Sequence, residues 1–433
     1  MIQKMKEGMI FTMNELKKIT LIQSTIDKKR TQKEVANALN ISERQVRSLV
    51  RRYKSEGPEG IKHKNKLHKP SHAFSEQFKQ KIIQLKLSDD YINTNFSHFK
   101  DLLQERENIN ISYSALYNIL KSNNINSKKS HRLKKTHRRR KRKEAEGMLV
   151  QTDGTPYDWF NIGRKYSLHG YIDDATGKIL GLYMCEHECL MGYLEITRQM
   201  LKNYGSPVAI YSDKYSVFFP TSSQKVTIEE QLQGKEKPTT QFKRIMDTLG
   251  IELIPASTSQ AKGRVERLWQ TLQDRLVTEF KLNNITTIEE ANDFLPKYIK
   301  KFNKKFAVTP EILESKFIPL PSYIDLDLLL TNKFTRVIDN SGTFSLNNHR
   351  FQIVDNDILP NTKVNIYVSH KIGMIVEHKE KRYKVIHLES VPSSYTRLNL
   401  IKFCKEHELE VKEFATNLCN YNSKEYSPLL VSS

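Results

Sequence analysis

A short apolar run ends in an acidic residue at Leu149-Val150-Gln151-Thr152-Asp153-Gly154-Thr155. A second apolar run, Ala209-Ile210-Tyr211-Ser212-Asp213-Lys214, also leads into an acid, Asp213. Both runs are typical of buried strands. A third acid, Glu266, lies early in a helical pattern, within Lys262-Gly263-Arg264-Val265-Glu266-Arg267-Leu268-Trp269. This order can bring three carboxylates to one edge of a sheet. Because carboxylates gathered there repel one another unless they share cations, the pattern predicts bound Mg²⁺ or Mn²⁺.

Each acid also has a simpler interpretation. Asp153 could be a turn residue because a glycine follows it, and Asp213 could pair with the lysine beside it. Glu266 could pair with Arg267 or with Gln270. Further acids near the first strand compete for the same role: Asp158, Asp173 and Asp174. The combination of strand, strand and helix favours a metal site over these simpler interpretations. Two divalent ions about 4 Å apart are the usual catalysts of phosphodiester cleavage and transfer.

Around these acids the hydrophobic pattern predicts three strands, a helix, a strand, a helix, a strand and a long helix. We expect them at Met148–Asp153, Tyr166–Ile172, Ile179–Glu186, Met191–Tyr204, Val208–Asp213, Phe242–Leu249, Ile251–Pro255 and Gln260–Phe280. This order matches a ribonuclease-H-like α/β fold with a mixed central sheet. A further helix is expected at Ile288–Phe306.

The distribution of charge separates the chain into two parts. The formal net charge is +21; residues 1–150 hold 34 Lys and Arg against 15 Asp and Glu, whereas residues 151–433 hold 36 against 34. The positive field therefore belongs to one end, which indicates a polyanion-binding module joined to a near-neutral module. The simpler alternative is a basic surface that only aids solubility.

Residues 14–54 read as three helices with a helix-turn-helix in the second and third. Thr31 and Glu34 form a capping-box pattern, Asn40-Ile41 makes the turn, and Ser42 caps the next helix. Arg and Gln side chains suit base edges in the major groove. The predicted DNA-reading residues are Arg44, Gln45, Arg47, Ser48 and Arg51. The alternative is a small helical bundle with a solvated basic face.

Two further basic features follow. Helical patterns at Glu76–Leu87, Asn95–Glu107 and Ser112–Ser122 indicate a second helix-turn-helix, in which Tyr113 and Tyr117 favour packing over base contact. The densest basic stretch, residues 128–143, should neutralise DNA phosphates without reading sequence. Its candidate phosphate contacts are Arg132, Lys134, Lys135, Arg138, Arg139 and Arg140. A nuclear-localisation signal would look similar, but the position between two modules already explains the stretch.

The cysteine content and the hydropathy indicate the cellular compartment in which the protein works. Four cysteines are too few for a disulfide framework, and Cys185-Glu186-His187-Glu188-Cys189 lacks a second pair at zinc-site spacing. There is no signal peptide pattern and no run of 18 apolar residues. We therefore expect an intracellular protein without a membrane partner.

The catalytic-core pattern resembles retroviral-integrase-type DDE transposases over residues 148–305. The run Thr152-Asp153-Gly154-Thr155-Pro156-Tyr157-Asp158-Trp159-Phe160 further resembles the ISNCY family of bacterial insertion-sequence transposases. The resemblance implies that Asp153, Asp213 and Glu266 are the catalytic, metal-binding acids, with two Mg²⁺ or Mn²⁺ ions per site. One departure is that Asp213 and Glu266 lie 53 positions apart, because Ser222–Thr240 reads as an insertion.

The same resemblance implies the partners and the reaction. The partners would be double-stranded DNA, as terminal inverted repeats and target, and further copies of the chain in a homodimer or higher multimer. The enzyme would cleave at the transposon 3′ ends and transfer the 3′-OH into target DNA, in the bacterial cytoplasm near the nucleoid. Lys262, Arg264 and Arg267 flank the third acid and could hold DNA phosphates, or form a solvated helix face.

The C-terminal third reads as a proline-containing linker, a strand-rich segment and a polar tail. Turn signals such as Asp339-Asn340-Ser341-Gly342 between short strands predict a small β-barrel. The expected fold class is therefore multidomain α+β. Its predicted parts are a helix-turn-helix domain (1–57), a basic linker (58–73), a second helix-turn-helix or winged-helix-like domain (74–125), a basic linker (126–146), the catalytic domain (147–306), a linker (307–333), the barrel (334–390) and the tail (391–433).

Three functional hypotheses remain at this point. The first is a DDE transposase. The second is a DNA-binding regulator built on a catalytically inactive core, which the presence of all three acids disfavours. The third is a nuclease of the same fold that hydrolyses DNA but never joins strands, and paired helix-turn-helix modules favour end recognition over it.

Overall fold

The structure is a computed structural model that describes residues 12–61, 74–127, 140–220, 239–256, 262–354, 357–388, 411–412 and 415. Its contacts divide the chain into one unit up to Ile82 and a second from Ile83 onward. Several predicted segments lie wholly or mostly outside the described residues: the linker at 58–73, the basic residues 128–139, the insertion at 222–240 and the tail at 391–433. The predicted domain boundaries stay predictions.

The first unit contains the predicted helix-turn-helix. Its helices are α1 (Met13–Ile26), α2 (Gln32–Leu39) and α3 (Glu43–Glu56), followed by a 3₁₀ turn at Gly57–Ile61. The predicted capping box forms, since Glu34 N–H donates to Thr31 Oγ1 and Thr31 N–H donates to Glu34 Oε2. Asn40 adopts a left-handed conformation, φ 53°, in the turn before α3. The helices enclose a small apolar core of Leu21, Ile22, Val35, Ala36, Val46 and Ile61.

Three more helices precede the catalytic core: α4 (Glu76–Leu87), α5 (Phe96–Arg106) and α6 (Tyr113–Ser122). The expectation that Tyr113 and Tyr117 serve packing is only partly right. Tyr117 packs edge-on against Phe96, with ring centroids 6.1 Å apart, but 39% of Tyr117 and 49% of Tyr113 remain exposed.

The central sheet confirms the ribonuclease-H-like expectation. Its strands are β1 (Val150–Tyr157), β2 (Tyr166–Asp173), β3 (Ile179–Cys185), β4 (Ala209–Ser212) and β5 (Glu252–Pro255), in the spatial order β3-β2-β1-β4-β5. The first three strands pair antiparallel, whereas β4 runs parallel to both β1 and β5. Since β1 continues to Tyr157, Asp153 lies within a strand, and its interpretation as a turn residue is wrong.

Helices cover both faces of this sheet. They are α7 (Leu190–Asn203), α8 (Gln241–Thr248), α9 (Gly263–Leu282) and α10 (Ile288–Phe306). One apolar core joins α7 and α8 to the sheet, and a second joins α9 and α10 to it. The long helix α9 begins at Gly263 and not at the predicted Gln260; residues 257–261 lie outside the described part. Both faces of the sheet are thus buried, as the continuous apolar strands require.

Ion pairs join the helices α5, α9 and α10 of the second unit. Arg275 on α9 lies 2.8 Å from Asp101 on α5, and Lys305 on α10 contacts the same carboxylate. Glu279 on α9 accepts from Lys301 at 2.6 Å and lies 3.3 Å from His98 Nε2. Burial raises the pKa of the Glu279 carboxyl, but these two partners outweigh it and hold that pKa at about 2. Helix α5 is therefore held against α9 and α10 by charged contacts.

The C-terminal strands confirm the predicted small barrel. After a short helix, α11 (Leu326–Leu329), six strands form one antiparallel sheet: β6 (Asn332–Val337), β7 (Thr343–Leu346), β8 (His349–Ile353), β9 (Lys363–Ser369), β10 (Gly373–His378) and β11 (Lys381–His387). Their order is β6-β9-β10-β11-β8-β7. Arg336 on β6 donates to the Ser345 carbonyl on β7 at 3.2 Å, so the two edge strands nearly close the barrel. Among the described helices, none is long and apolar enough to span a membrane.

Candidate active site

Two of the three predicted acids lie side by side on the central strands. In the parallel pair of β1 and β4, Val150 lies opposite Ile210 and Gln151 opposite Tyr211. Continuing this register places Asp153 opposite Asp213, where β4 has just ended. Residues in register on neighbouring parallel strands lie side by side, so the two aspartates are neighbours although β1 continues to Tyr157. The register thus places Asp153 and Asp213 at matching positions, and their role as catalytic acids stays a prediction.

One lysine lies between the two aspartates. Lys262, the residue before α9, places its Nζ 2.6 Å from Asp153 Oδ1 and 3.9 Å from Asp213 Oδ2. Trp269, further along α9, donates its indole N–H to Asp153 Oδ2 at 3.1 Å. Lys262 and Trp269 thus hold both oxygens of Asp153. The interpretation of Asp213 as a partner of Lys214 gives way to this contact with Lys262.

Glu266, the third predicted acid, shares a helix face with Lys262 and Trp269. Residues three and four apart share a helix face, and Glu266 follows Lys262 by four positions and precedes Trp269 by three. Its side chain is exposed, and within the described ranges no ion pair or side-chain hydrogen bond engages it. The alternative pairings of Glu266 with Arg267 or Gln270 do not form in the structure. Glu266 therefore lies one helical turn after Lys262 with an exposed carboxylate that no described side chain engages.

The arrangement suits a divalent cation, although the carboxylates do not yet converge on one point. Among the described residues, no three His, Cys, Asp or Glu side chains are close enough together to hold one ion. The donors are nonetheless carboxylate oxygens, which Mg²⁺ and Mn²⁺ prefer, and a cation from the protein itself already lies between Asp153 and Asp213. The donor chemistry of the aspartate pair thus fits a divalent ion, and the assignment of Asp153, Asp213 and Glu266 as metal ligands stays a prediction.

A fourth acid at this site escaped the sequence prediction. Glu188, just before α7, accepts a hydrogen bond from Tyr193 Oη at 2.5 Å. A side chain at Gly154 would meet the Glu188 carboxyl carbon at 2.9 Å, so the glycine after Asp153 makes room for this carboxylate. Burial raises the pKa of the Glu188 carboxyl, and the nearby Asp213 and Asp153 carboxylates add to the rise. No motif in the sequence marks Glu188, because only the fold brings it beside β1.

The competing acids have structural roles. Asp158 accepts hydrogen bonds from the backbone N–H of Ile162 at 3.0 Å and Gly163 at 2.8 Å, and so shapes a surface loop. Asp173 is fully buried and accepts from Gly147 N–H at 3.0 Å and from Thr176, whose N–H and hydroxyl both donate at 2.7 Å. Neither carboxylate is required to explain the cation site, which leaves Asp153 as its acid from β1.

Asp174 is the centre of a buried polar network behind the site. Its carboxylate accepts from Arg264 Nε at 2.7 Å, from Gln151 Nε2 at 2.9 Å and from Lys143 N–H at 2.8 Å, and it also pairs with Arg140. Gln151 in turn accepts the N–H of Val265 at 3.3 Å through its other side-chain atom. The network thus joins β1, which carries Asp153, to the first turn of α9, which carries Glu266.

The structure describes only some of the residues that are predicted to contact DNA. Arg264 and Arg140 turn toward Asp174, and Lys262 toward the aspartates, whereas Arg267 is exposed. On α3 the predicted residues Arg44, Gln45, Arg47, Ser48 and Arg51 are all exposed. Gln45 also completes the cap of α3, because Ser42 N–H donates to its side-chain oxygen at 3.0 Å. The candidates Arg132, Lys134, Lys135, Arg138 and Arg139 lie outside the described residues. Contact with DNA stays a prediction for all of them.

Sequence comparisons find relatives along most of the chain. A helix-turn-helix domain family matches residues 17–70. The transposase for insertion sequence IS1202 of Streptococcus pneumoniae is 36% identical over 360 residues, covering 76% of this chain and 76% of that protein. The putative transposase y4bF of Sinorhizobium fredii (strain NBRC 101917 / NGR234) is 33% identical over 346 residues, covering 79% of this chain and 74% of the relative.

Solved structures with similarity to the chain include two from retroviral integrases. The HTLV-2 integrase catalytic core domain in complex with magnesium is 17% identical, with a TM-score of 0.27, and the match covers 37% of this chain and 89% of that chain. The simian T-cell lymphotropic virus intasome in complex with PP2A regulatory subunit B56 gamma is 13% identical, with a TM-score of 0.29, and the match covers 71% and 96% respectively.

Proposed function

The chain belongs to the transposase family of these curated relatives, and on that basis we propose that it is a DDE transposase that joins its element's ends to target DNA. Asp153, Asp213 and Glu266 would hold two Mg²⁺ or Mn²⁺ ions. The observation that supports this most is the pair of aspartates, in register on neighbouring parallel strands, with an ammonium group between them. Two carboxylates so placed need a cation.

The reaction has two in-line steps that share this site. In the first, water attacks the phosphodiester at the transposon 3′ end; one phosphorus–oxygen bond forms, one breaks, and a 3′-OH is released. In the second, that 3′-OH attacks a target phosphodiester with the same balance of bonds. Divalent ions, if held by these acids, would supply activation of the attacking oxygen and stabilisation of the leaving oxygen. No covalent protein intermediate is required.

The residues of the chain orient this chemistry. Trp269 holds one oxygen of Asp153, and the network around Asp174 keeps β1 against the first turn of α9. Glu266 lies in that turn, and we expect its carboxylate to join the aspartate pair when metal binds. Such outer partners fix the orientation of metal-binding carboxylates.

DNA recognition is assigned to the exposed face of α3 and to the basic residues of the N-terminal third. We expect the helix-turn-helix to bind the terminal inverted repeats, and two or more copies of the chain to bring the two ends together in a synaptic complex. We place the reaction in the bacterial cytoplasm, on or near the nucleoid. The family of the relatives and the +21 net charge support this assignment.

The proposal is tested by incubating the full chain with DNA that carries the element's own ends, with Mg²⁺ or with EDTA. Mg²⁺-dependent joined product is the expected result. Cleavage without joining would instead favour a nuclease of the same fold. Sequence-specific binding without either reaction would favour the inactive regulator. The last two outcomes each contradict the proposal.

Replacing Trp269 by phenylalanine should slow strand transfer by about 10- to 100-fold, because the ring remains but the N–H that holds Asp153 is lost. The protein offers a matched control in its other tryptophan, Trp159. It is fully buried, and its indole N–H has no hydrogen-bond partner in the described part of the chain. Trp159→Phe should therefore keep wild-type rates. Equal rates for both variants would remove Trp269 from the site.

Replacing Arg47 by alanine should weaken binding to the terminal repeat by about 1–3 kcal/mol if this exposed residue of α3 reads a base. Binding is measured by fluorescence anisotropy, with repeat and scrambled DNA at one fixed salt concentration. Lys33→Ala, at an exposed position of α2, serves as the control. A loss that is equal for repeat and scrambled DNA would assign Arg47 to phosphates and not to bases.

A further inference from the structure

Lys262 lies beside two carboxylates that require a positive charge near them. Its side chain is 11% exposed, and its Nζ lies 2.6 Å from Asp153 and 3.9 Å from Asp213. The two carboxylates come from neighbouring parallel strands and would repel each other without a positive charge between them. The ammonium of Lys262 supplies that charge from the protein itself.

The local structure does not otherwise favour a lysine here. Lys262 occupies the N-cap position of α9, where Ser, Thr, Asp and Asn are preferred, and it makes no capping hydrogen bond. The N-terminus of a helix also disfavours positive charge. By contrast, the neighbouring helix α10 begins with a complete capping box at Thr287 and Glu290. The position of Lys262 is therefore explained by the aspartates and not by the helix.

We infer that Lys262 is a resident counter-cation of the active site, which holds Asp153 and Asp213 together in the metal-free protein and is displaced when a divalent ion binds there. This inference rests on the proposed function. Mg²⁺ binds oxygen at about 2.1 Å, and an ammonium that touches the same carboxylate oxygen competes with it. The released ammonium is then available as a point charge for a DNA phosphate.

Such an exchange couples two binding events. If metal frees Lys262 for phosphate, metal increases the affinity for DNA, and DNA increases the affinity for metal by the same factor. It also reconciles the sequence-based prediction of a phosphate contact at Lys262 with its observed pairing to the aspartates.

The displacement is measured on the wild-type full chain by acylation of lysine amines followed by mass spectrometry, with and without Mn²⁺. Lys262 should react slowly without metal and at least several-fold faster with it. Lys178 is the internal control, because its Nζ lies 2.8 Å from Glu146 and does not contact the two aspartates. Its acylation rate should not change with Mn²⁺. A Lys262 rate that does not depend on Mn²⁺ would overturn the inference.

A second experiment measures Mn²⁺ affinity by calorimetry for wild type, Lys262→Gln and Lys178→Gln, each first checked for an unchanged melting profile. Removing the competing ammonium should tighten Mn²⁺ binding by roughly three- to tenfold, the value of a partly exposed ion pair. Lys178→Gln should bind as wild type does. If Mn²⁺ binds wild type but Lys262→Gln binds no more tightly, the inference alone fails. If no protein binds Mn²⁺, the proposed function fails with it.

Discussion

The Asp153→Asn variant will join transposon ends to target DNA at least about 10³-fold more slowly than wild type. Metal ions contribute several kcal/mol of charge stabilisation, and each 1.4 kcal/mol or so is a factor of ten in rate. Asparagine keeps the size of the side chain and an oxygen for the Trp269 N–H, but it removes the charge that attracts cations. The loss should therefore appear in the rate and in Mn²⁺ affinity, with no change in the melting temperature beyond a few degrees.

The matched control for this variant is Asp158→Asn. Asp158 lies five positions further along and shapes a surface loop through two backbone hydrogen bonds. Its amide variant should retain wild-type strand transfer. The assay is the Mg²⁺-dependent joining reaction, followed on labelled end DNA. If Asp153→Asn is as active as Asp158→Asn, the assignment of the first acid is wrong.

The Asp174→Ala variant should lose about 3–5 kcal/mol of unfolding free energy, because removing one partner of a buried ion pair leaves the other charges uncompensated. Asp174 is fully buried and pairs with Arg264 and Arg140. It also holds Gln151, which accepts from the first turn of α9. The variant should therefore be both less stable and less active, since β1 and α9 lose their connection behind the site.

Urea-induced unfolding of the full chain measures this effect. The control is Glu186→Ala, whose partner Arg164 forms a surface pair in which both side chains are 59% exposed. Exposed pairs of this kind contribute about 1 kcal/mol at most. An unfolding midpoint for Asp174→Ala that matches that of Glu186→Ala would show that the buried network does not stabilise the core.

Much of the fold follows from local sequence pattern. The helices α4 and α10 have the bounds expected from the hydrophobic periodicity, and α2 lies within the three-helix segment expected at residues 14–54. These elements have clear signals at their ends, such as the capping box before α2. Boundaries shift where an element continues past the apolar pattern. In β1 the polar continuation Gly154–Tyr157 pairs with β2 although it lacks apolar alternation.

The partners of the site residues could not be predicted in the same way. In the sequence Trp269 is only the last residue of the run around Glu266, and in the structure it is buried. Its contact with Asp153 depends on Gly170, which lies opposite Asp153 on β2; a side chain there would meet the indole ring at 2.7 Å. Such a coincidence of three distant positions leaves no periodic signal.

The partners of the charged residues near the acids also could not be predicted from local sequence. Arg264 and Arg140 looked like phosphate ligands because they lie in basic stretches, yet both pair with Asp174. Arg264 and Asp174 are 90 positions apart, so no local pattern connects them. Sequence identifies which side chains carry charge, whereas the fold decides which charges neutralise one another.

The most direct test of a metal-dependent site at Asp153, Asp213 and Glu266 is anomalous X-ray scattering from crystals of the full chain soaked in Mn²⁺. We expect an anomalous peak between Asp153 and Asp213, within about 2.3 Å of a carboxylate oxygen from each, and Lys262 turned away from it. An empty aspartate pair with Lys262 still bound, at Mn²⁺ concentrations that support strand transfer, would contradict this expectation.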